Sequence, residues 1–292
     1  MYELVQAAEH TYYMECPAKV GIVETAPGEV VLIDSGGDRS AAKKIRNHLD
    51  ARGWQLKAIY LTHSHADHAG GCRPLQNATG CKVYAPGAEQ AFTQWPWLEP
   101  TVLYGGYPPN ELRHKFLVAQ ASDAQALTPD TLPQGWETIE LPGHFFHMVG
   151  YRTPDDVVFL ADCLSSETTL AKYRVSFVYD VAAYLRTLEA VAQMQARLFV
   201  PAHASATDDI APLARKNIAT TYEVADDVVS LCAEPKGFDD LLAEVFTHYD
   251  LPMNFEQHAL VGHSVRSYLS YLASEGRVHP LIKDDRWLWV QV

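Results

Sequence analysis

The chain has 292 residues, of which 48% are apolar and 20% charged, a composition that supports a substantial core and excludes a disordered chain. Its length suits one large domain, or a large domain with a small one appended. The formal net charge of −13 opposes phosphate backbones and anionic lipid surfaces over the average face, though not at a local pocket whose charge metal ions would set.

In chain order, residues 1–10 carry neither the basic nor the apolar stretch of a secretory signal. No apolar run reaches the roughly 18 residues that span a membrane. The five cysteines are odd in number, scattered and without a CxxC pair, which suits a reducing compartment. The expectation is a cytoplasmic protein with no membrane partner.

"KVGIVET" and "EVVLIDSG" read as strands joined by a Pro-Gly turn. "DRSAAKKIRNHLDARG" has Ala42, Ile45 and Leu49 at helical spacing, closed by Gly53. "LKAIYLTH" is a short buried strand. Residues 86–135 lose this periodicity and are rich in Trp, Tyr, Pro and Gly, which marks a lid-like insertion; Tyr104, Tyr107 and His114 are candidate contacts there. Strands resume in "WETIELPGH", "MVGYRTP" and "DVVFLADC". A helix over 180–196, a strand "RLFVPAHAS" and a long helix over 208–236 follow. Beyond Gly237 come a short helix, one or two more, and a hairpin turning at Asp284 and Asp285.

The densest chemistry lies in "HSHADH". His63 and His65 alternate on an extended stretch and can point the same way, with Asp67 and His68 following as the chain turns. Imidazole and carboxylate suit zinc, and also iron or manganese. This loop holds more ligand-type side chains than one catalytic zinc takes from one segment, so two metals are expected. His144 in "LPGH", Asp162 in "LADC" and His203 in "VPAH" each stand at a strand terminus. The two glycines after the loop are expected to let the backbone turn away closely.

Taken together, His63, His65, Asp67, His68, His144, Asp162 and His203 resemble the HxHxDH pattern of the metallo-β-lactamase-fold hydrolases, over about the first 205 residues. The resemblance implies a four-layer αββα sandwich, an α/β fold, with the catalytic domain at 1–207, a linking helix at 208–236 and a small winged-helix-like α+β domain at 237–292. It implies two divalent metal ions, zinc or else iron or manganese. One would be held by His63, His65 and His144; the other by Asp67, His68 and His203, with Asp162 bridging. Asp34 of "IDSGG" would brace the metal loop without binding metal. Asp67 and Asp162 would be the catalytic carboxylates.

The implied activity is a dinuclear metal-dependent hydrolase that attacks a thioester, lactone or similar acyl substrate with a metal-bridging hydroxide. The alternatives are a nuclease or phosphodiesterase of the same fold, and a mononuclear-iron persulfide oxygenase that would leave Asp67 and His203 without a metal. Many relatives have a second histidine later than His147 stands here in "PGHFFHMVGY"; His147 is a candidate substrate contact. Tyr173, Arg174 and Tyr179 join Tyr104 as further candidates. Cys163 is read as a small buried residue. Arg266, Arg277, Lys283 and Arg286 of the C-terminal unit are interleaved with Glu256, Glu275, Asp284 and Asp285, so no basic stripe offers itself to nucleic acid. The expected partner is a small-molecule substrate, and the appended unit could support a homodimer.

Overall fold

The computed structural model describes residues 2–292, which divide into two compact units. Among the described residues the first comprises 2–142, 146–164 and 194–210. It is built on two sheets. The seven-stranded sheet takes its strands in chain order: β1 (Glu3–Gln6), β2 (Thr11–Glu15), β3 (Val20–Ala26), β4 (Glu29–Ile33), β5 (Gln55–Tyr60), β6 (Lys82–Ala85) and β7 (Ala124–Ala126). β1 to β4 pair antiparallel, β4 to β7 parallel. The four-stranded sheet runs β11 (Leu198–Pro201), β10 (Val157–Ala161), β9 (Val149–Arg152), β8 (Glu137–Glu140), with only the β10–β11 pair parallel.

Alternation along the strands gives each sheet an apolar inner face. Val23, Val31, Ile33 and Tyr60 meet Val149, Tyr151, Phe159 and Val200 in the core between the sheets. The outer face of the larger sheet is covered by α1 (Arg39–Arg52) and α3 (Cys72–Thr79), through Ile45, Leu49, Cys72 and Leu75 packed on Val30, Leu32, Ile59 and Val83. The Asp38 side chain accepts from the amides of Ser40 and Ala41 to start α1, and Gly53 ends it in the left-handed conformation at φ 67°. Between the helices, α2 (Ala66–Ala69) is the single turn that carries Asp67 and His68.

The insertion is more regular than the sequence suggests. It contains α4 (Glu89–Gln94), α5 (Leu98–Tyr104) and strand β7, which extends the larger sheet. Helices this short leave no detectable period, and their tryptophans and prolines mask what period remains.

The second unit comprises 143–145, 165–193 and 211–292, so it takes in residues placed with the catalytic domain by sequence. Its helices are α6 (Glu167–Tyr173), α7 (Val181–Val191), α8 (Ala211–Leu231), α9 (Phe238–His248) and α10 (Phe255–Ser274). Asn217 of α8 both donates to and accepts from the Ser165 backbone, at 2.9 and 2.8 Å, which ties 165–193 to this unit. The chain ends in a three-stranded sheet, β12 (Lys236–Gly237), β14 (Arg286–Gln291), β13 (Val278–Lys283). Asp284 and Asp285 turn its hairpin at φ 51° and 57°, the two positive values of a type I′ turn. Beyond Gly237 the helices and hairpin follow the order read from the sequence; α6 and β12 were not anticipated.

Candidate metal centre

In the first unit the C-terminal ends of β4, β5, β10 and β11 lead into the loops that carry Asp34, His63, Asp162 and His203. The buried carboxylate of Asp34 is the hub. Its Oδ1 accepts from the Thr62 amide at 2.8 Å, and its Oδ2 accepts from the Thr62 hydroxyl at 2.9 Å and from His68 Nδ1 at 2.8 Å. Ser35 adds two bonds to the His68 carbonyl, from its amide at 2.8 Å and its hydroxyl at 2.7 Å. "IDSGG" therefore clamps "HADHAGG" backbone to backbone. A Cβ at Gly70 would lie 2.2 Å from the Gly37 carbonyl oxygen, and one at Gly71 2.1 Å from that of Ser35. Neither glycine has a positive φ. They serve the close approach of two loops where the chain passes from α2 to α3, and need no left-handed conformation to do so.

Asp67, His68, Asp162 and His203 bring their ligand-type atoms within 4.8 Å of one another. His203 Nε2 lies 3.2 Å from Asp67 Oδ2 and 3.2 Å from Asp162 Oδ2; His68 Nε2 lies 3.1 Å from Asp162 Oδ1. Both imidazoles are oriented from behind. His68 Nδ1 is bonded to Asp34, and His203 Nδ1 to the Pro17 carbonyl at 2.8 Å. Each neutral ring thus holds its proton on Nδ1 and turns the Nε2 lone pair toward two carboxylates. His68 Nε2 is wholly buried, facing Asp162 Oδ1.

Such an arrangement calls for positive charge at its centre. Burial disfavours the charged form of His68, yet Asp162, Asp67 and Asp34 hold it well above the ordinary histidine value. Asp162, against burial, pushes His203 up to about 10. Burial likewise opposes ionisation of Asp67 and Asp162, yet the two imidazoles hold both well below the usual carboxylate range. Nitrogen and carboxylate oxygen converging on one point fit a divalent cation better than they fit protons.

His63 and His65 stand beside this cluster. His63 Nδ1 contacts the Thr62 hydroxyl at 3.0 Å, and its Nε2 lies 3.0 Å from His65 Nδ1. Two imidazole nitrogens sharing one tetrahedral zinc sit about 3.3 Å apart, so the spacing suits a shared ion. His144 belongs to the second unit, where its Nδ1 bonds the Phe177 carbonyl at 3.1 Å. Gly143 before it has φ 121°, and a Cβ there would lie 2.3 Å from the Tyr184 amide nitrogen, so "PGH" needs its glycine. Asp162 is aimed by a bulge between Phe159 and Ala161, with Ala161 left-handed at φ 49°.

The candidate substrate contacts are scattered. Arg174 is paired with Glu223. Tyr173 is half-buried under Lys172. Tyr179 stacks on His263 at 6.1 Å between centroids, and Tyr104 is exposed on α5. The exposed His147 accepts the Ala88 amide on Nδ1 at 3.3 Å and packs against Gly87. Cys163 is fully buried, and burial raises its thiol far above the ordinary value, which leaves it inert.

Two positions escaped the sequence reading. Glu89, fully buried on α4, accepts from the Ser64 amide and hydroxyl at 3.1 and 2.6 Å with Oε2 and from the His147 amide at 2.8 Å with Oε1. It joins the insertion to the "HSHADH" loop and to the loop after His144. Lys19, also buried, donates to the Ala204 carbonyl at 2.6 Å and pairs with Glu15, pinning the segment next to His203. A lone glutamate at a helix start and a lone lysine before a strand carry no signal of these roles.

A mixed α/β fold with imidazole and carboxylate converging at the strand ends defines a candidate centre for divalent cations. The chain belongs to the metallo-beta-lactamase superfamily, whose family model matches residues 13–203. Its α/β fold is that of a metallo-beta-lactamase family protein of Thermus thermophilus, at TM-score 0.72 and 19% identity over 94% of each chain. A beta-lactamase domain protein of Burkholderia ambifaria matches at TM-score 0.72 and 16% identity, over 99% of this chain and 94% of that one. Among curated relatives, a hydroxyacylglutathione hydrolase of Methylobacillus flagellatus is 44% identical over 63 residues, 22% of this chain and 24% of its own length. One of Rhodopseudomonas palustris is 33% identical over 138 residues, 46% of this chain and 45% of its own. The chain thus spans a quarter to a half of the length of these relatives.

Proposed function

We propose that the protein is a dinuclear metal-dependent hydrolase of acyl substrates, thioesters or lactones first. The observation that carries this reading is the convergence of His68, His203, Asp67 and Asp162, with both imidazoles fixed from behind so that Nε2 faces the carboxylates. These four residues would hold one ion, and His63 and His65 would contribute to the other. Zinc suits the donor set, as do iron and manganese. Ions so held supply Lewis acidity and make a water nucleophilic near neutral pH.

The chain's own residues do the rest. Asp34 and Pro17 keep His68 and His203 in the tautomer that presents Nε2. Asp162 is mostly covered, with its side chain 11% exposed, and serves as a fixed anion. Asp67, whose side chain is 49% exposed, is the carboxylate placed to carry a proton to a departing thiolate or alkoxide. Hydrolysis adds water across the acyl bond: hydroxyl to the acyl carbon, proton to the leaving group. The named hydroxyacylglutathione hydrolases support a thioester as the first substrate to test.

A nuclease reading fares worse. In the C-terminal unit Arg277 is paired with Asp226, Arg286 with Asp240, and Arg266 lies over the Phe238 ring. Cations already matched to acids contribute little to phosphate binding. A one-iron oxygenase would leave Asp67 and His203 idle, although they stand 3.2 Å apart. All five cysteines are free and no helix among the described residues is long and apolar enough to cross a membrane; a reducing compartment such as the cytoplasm accords with the thiols.

The test is a panel of thioester, lactone, β-lactam, phosphodiester and RNA substrates on metal-assayed protein. Thioester or lactone turnover that is lost with Asp162→Ala supports the reading. Turnover of RNA alone, or no loss in the variant, overturns it.

A further inference from the structure

A cavity of about 240 Å³ opens beside Asp67, wholly within the first unit. Its walls come from the β2–β3 loop (Cys16, Pro17, Ala18), from the β4–α1 turn at Gly36 and Gly37, and from Lys115 and Phe116 of the insertion. Sites that take a whole drug-sized ligand run to about 300–1,000 Å³, so this one is sized for a single arm of a substrate. Its position decides which arm. Asp67 lines it, and the Pro17 carbonyl holds His203, so an arm seated there has its root at the reacting centre.

The lining decides the arm's chemistry. The charged groups beside the cavity are matched to one another or to neighbours. The Asp38 carboxylate accepts two α1 amides through Oδ1 and pairs with Lys115 Nζ at 3.0 Å through Oδ2. The Cys16 thiol donates to the Met14 and Ala18 carbonyls, and burial pushes its pKa up to about 11, so it is a wall and not a nucleophile. Lys115 is already neutralised by Asp38, so a charged arm would exchange its hydration for an ammonium it must share with that carboxylate, and gains little by doing so. An uncharged apolar arm meets Pro17, Ala18 and Phe116. Phe116 is 68% exposed. A ring held open at the mouth of an apolar cavity is the group that an apolar arm would cover.

We propose that this cavity receives the apolar acyl chain of the substrate, and that Phe116 forms its closing wall, so that the insertion selects acyl chains of several carbons over acetyl. The proposal rests on the hydrolase reading for the identity of the arm, not for the existence of the pocket.

Two measurements separate the two ideas. The first is kcat/KM for the acetyl and hexanoyl thioesters of N-acetylcysteamine, with wild type and Phe116→Ala, each assayed for metal content. The hexanoyl-to-acetyl ratio should exceed one in wild type. It should fall roughly four- to fifteen-fold in the variant, the effect of uncovering one or two methylenes. The second is thermal stabilisation by hexanamide against acetamide, which needs no turnover; hexanamide should raise the melting temperature of wild type more than that of Phe116→Ala. Hydrolysis with one ratio in both proteins, and no selective effect of hexanamide, overturns the pocket and leaves the hydrolase standing. Selective binding of hexanamide without thioester hydrolysis supports the pocket and removes the thioester hydrolase reading. Failure of both measurements overturns both.

Discussion

Asp34 and His68 are joined by a 2.8 Å hydrogen bond from imidazole Nδ1 to carboxylate Oδ2, in a setting where both side chains are almost wholly buried. The same carboxylate holds the Thr62 amide and hydroxyl. One acid therefore sets the tautomer of a candidate ligand and the path of the loop that carries His63. Asp34 itself is left-handed at φ 63°, which asparagine tolerates. Asp34→Asn should leave the backbone in place, weaken the orienting bonds and lower metal affinity by roughly 10- to 100-fold. Competition against a chromophoric chelator checks it; unaltered affinity would show that the acid is dispensable.

Glu89 holds the same loop at Ser64. Glu89→Ala leaves the Ser64 and His147 amides without their acceptor, an effect of about 1–3 kcal/mol on stability. If the residue positions the metal loops, Glu89→Gln, which keeps one acceptor oxygen, should recover part of the metal affinity that Glu89→Ala loses. A purely structural glutamate would move the melting temperature of both variants and the affinity of neither.

Gly71→Ala puts a methyl 2.1 Å from the Ser35 carbonyl oxygen. The obstructing atom is backbone carbonyl and not a flexible side chain, so it does not yield cheaply. The expected cost is on the order of 3 kcal/mol. Denaturant unfolding of the metal-free protein measures it, and a loss below about 1 kcal/mol would mean that the two loops separate easily.

His263 of α10 is stacked on Phe177 at 5.0 Å and on Tyr179, and burial, assisted by Arg266, pulls its pKa down to about 4. A base whose folded pKa lies below its unfolded value near 6.5 contributes stability that is full above about pH 6.5. That stability is lost as pH falls toward 4, because the unfolded chain takes up the proton first. The ceiling is about 3 kcal/mol, reduced by the part of the ring that stays hydrated. His263→Phe should flatten the loss of melting temperature between pH 6.5 and 4. An equal loss in both proteins would place the acid sensitivity elsewhere.

The ligand-type residues were legible because they are rare side chains at strand ends, and α1 because Ala42, Ile45 and Leu49 keep helical spacing between Asp38 and Gly53. Three features were not legible, each for its own reason. The bulge that aims Asp162 and the left-handed Ala161 depend on strand register, which no local pattern encodes. Glu89 and Lys19 act by long-range bonds to Ser64, His147 and Ala204, so their neighbours in sequence say nothing of them. Residues 165–193 join the second unit through bonds such as those of Asn217, although they lie in sequence between Asp162 and His203.

The central claim is a two-ion centre in which Asp67, His68 and His203 hold an ion distinct from that of His63 and His65. Metal content per chain, measured by mass spectrometry on zinc-saturated and desalted protein, tests it most directly. Wild type should retain close to two ions, and His203→Ala, if folded, close to one. A wild type that holds one ion at saturation, or a His203→Ala variant that still holds two, would contradict it.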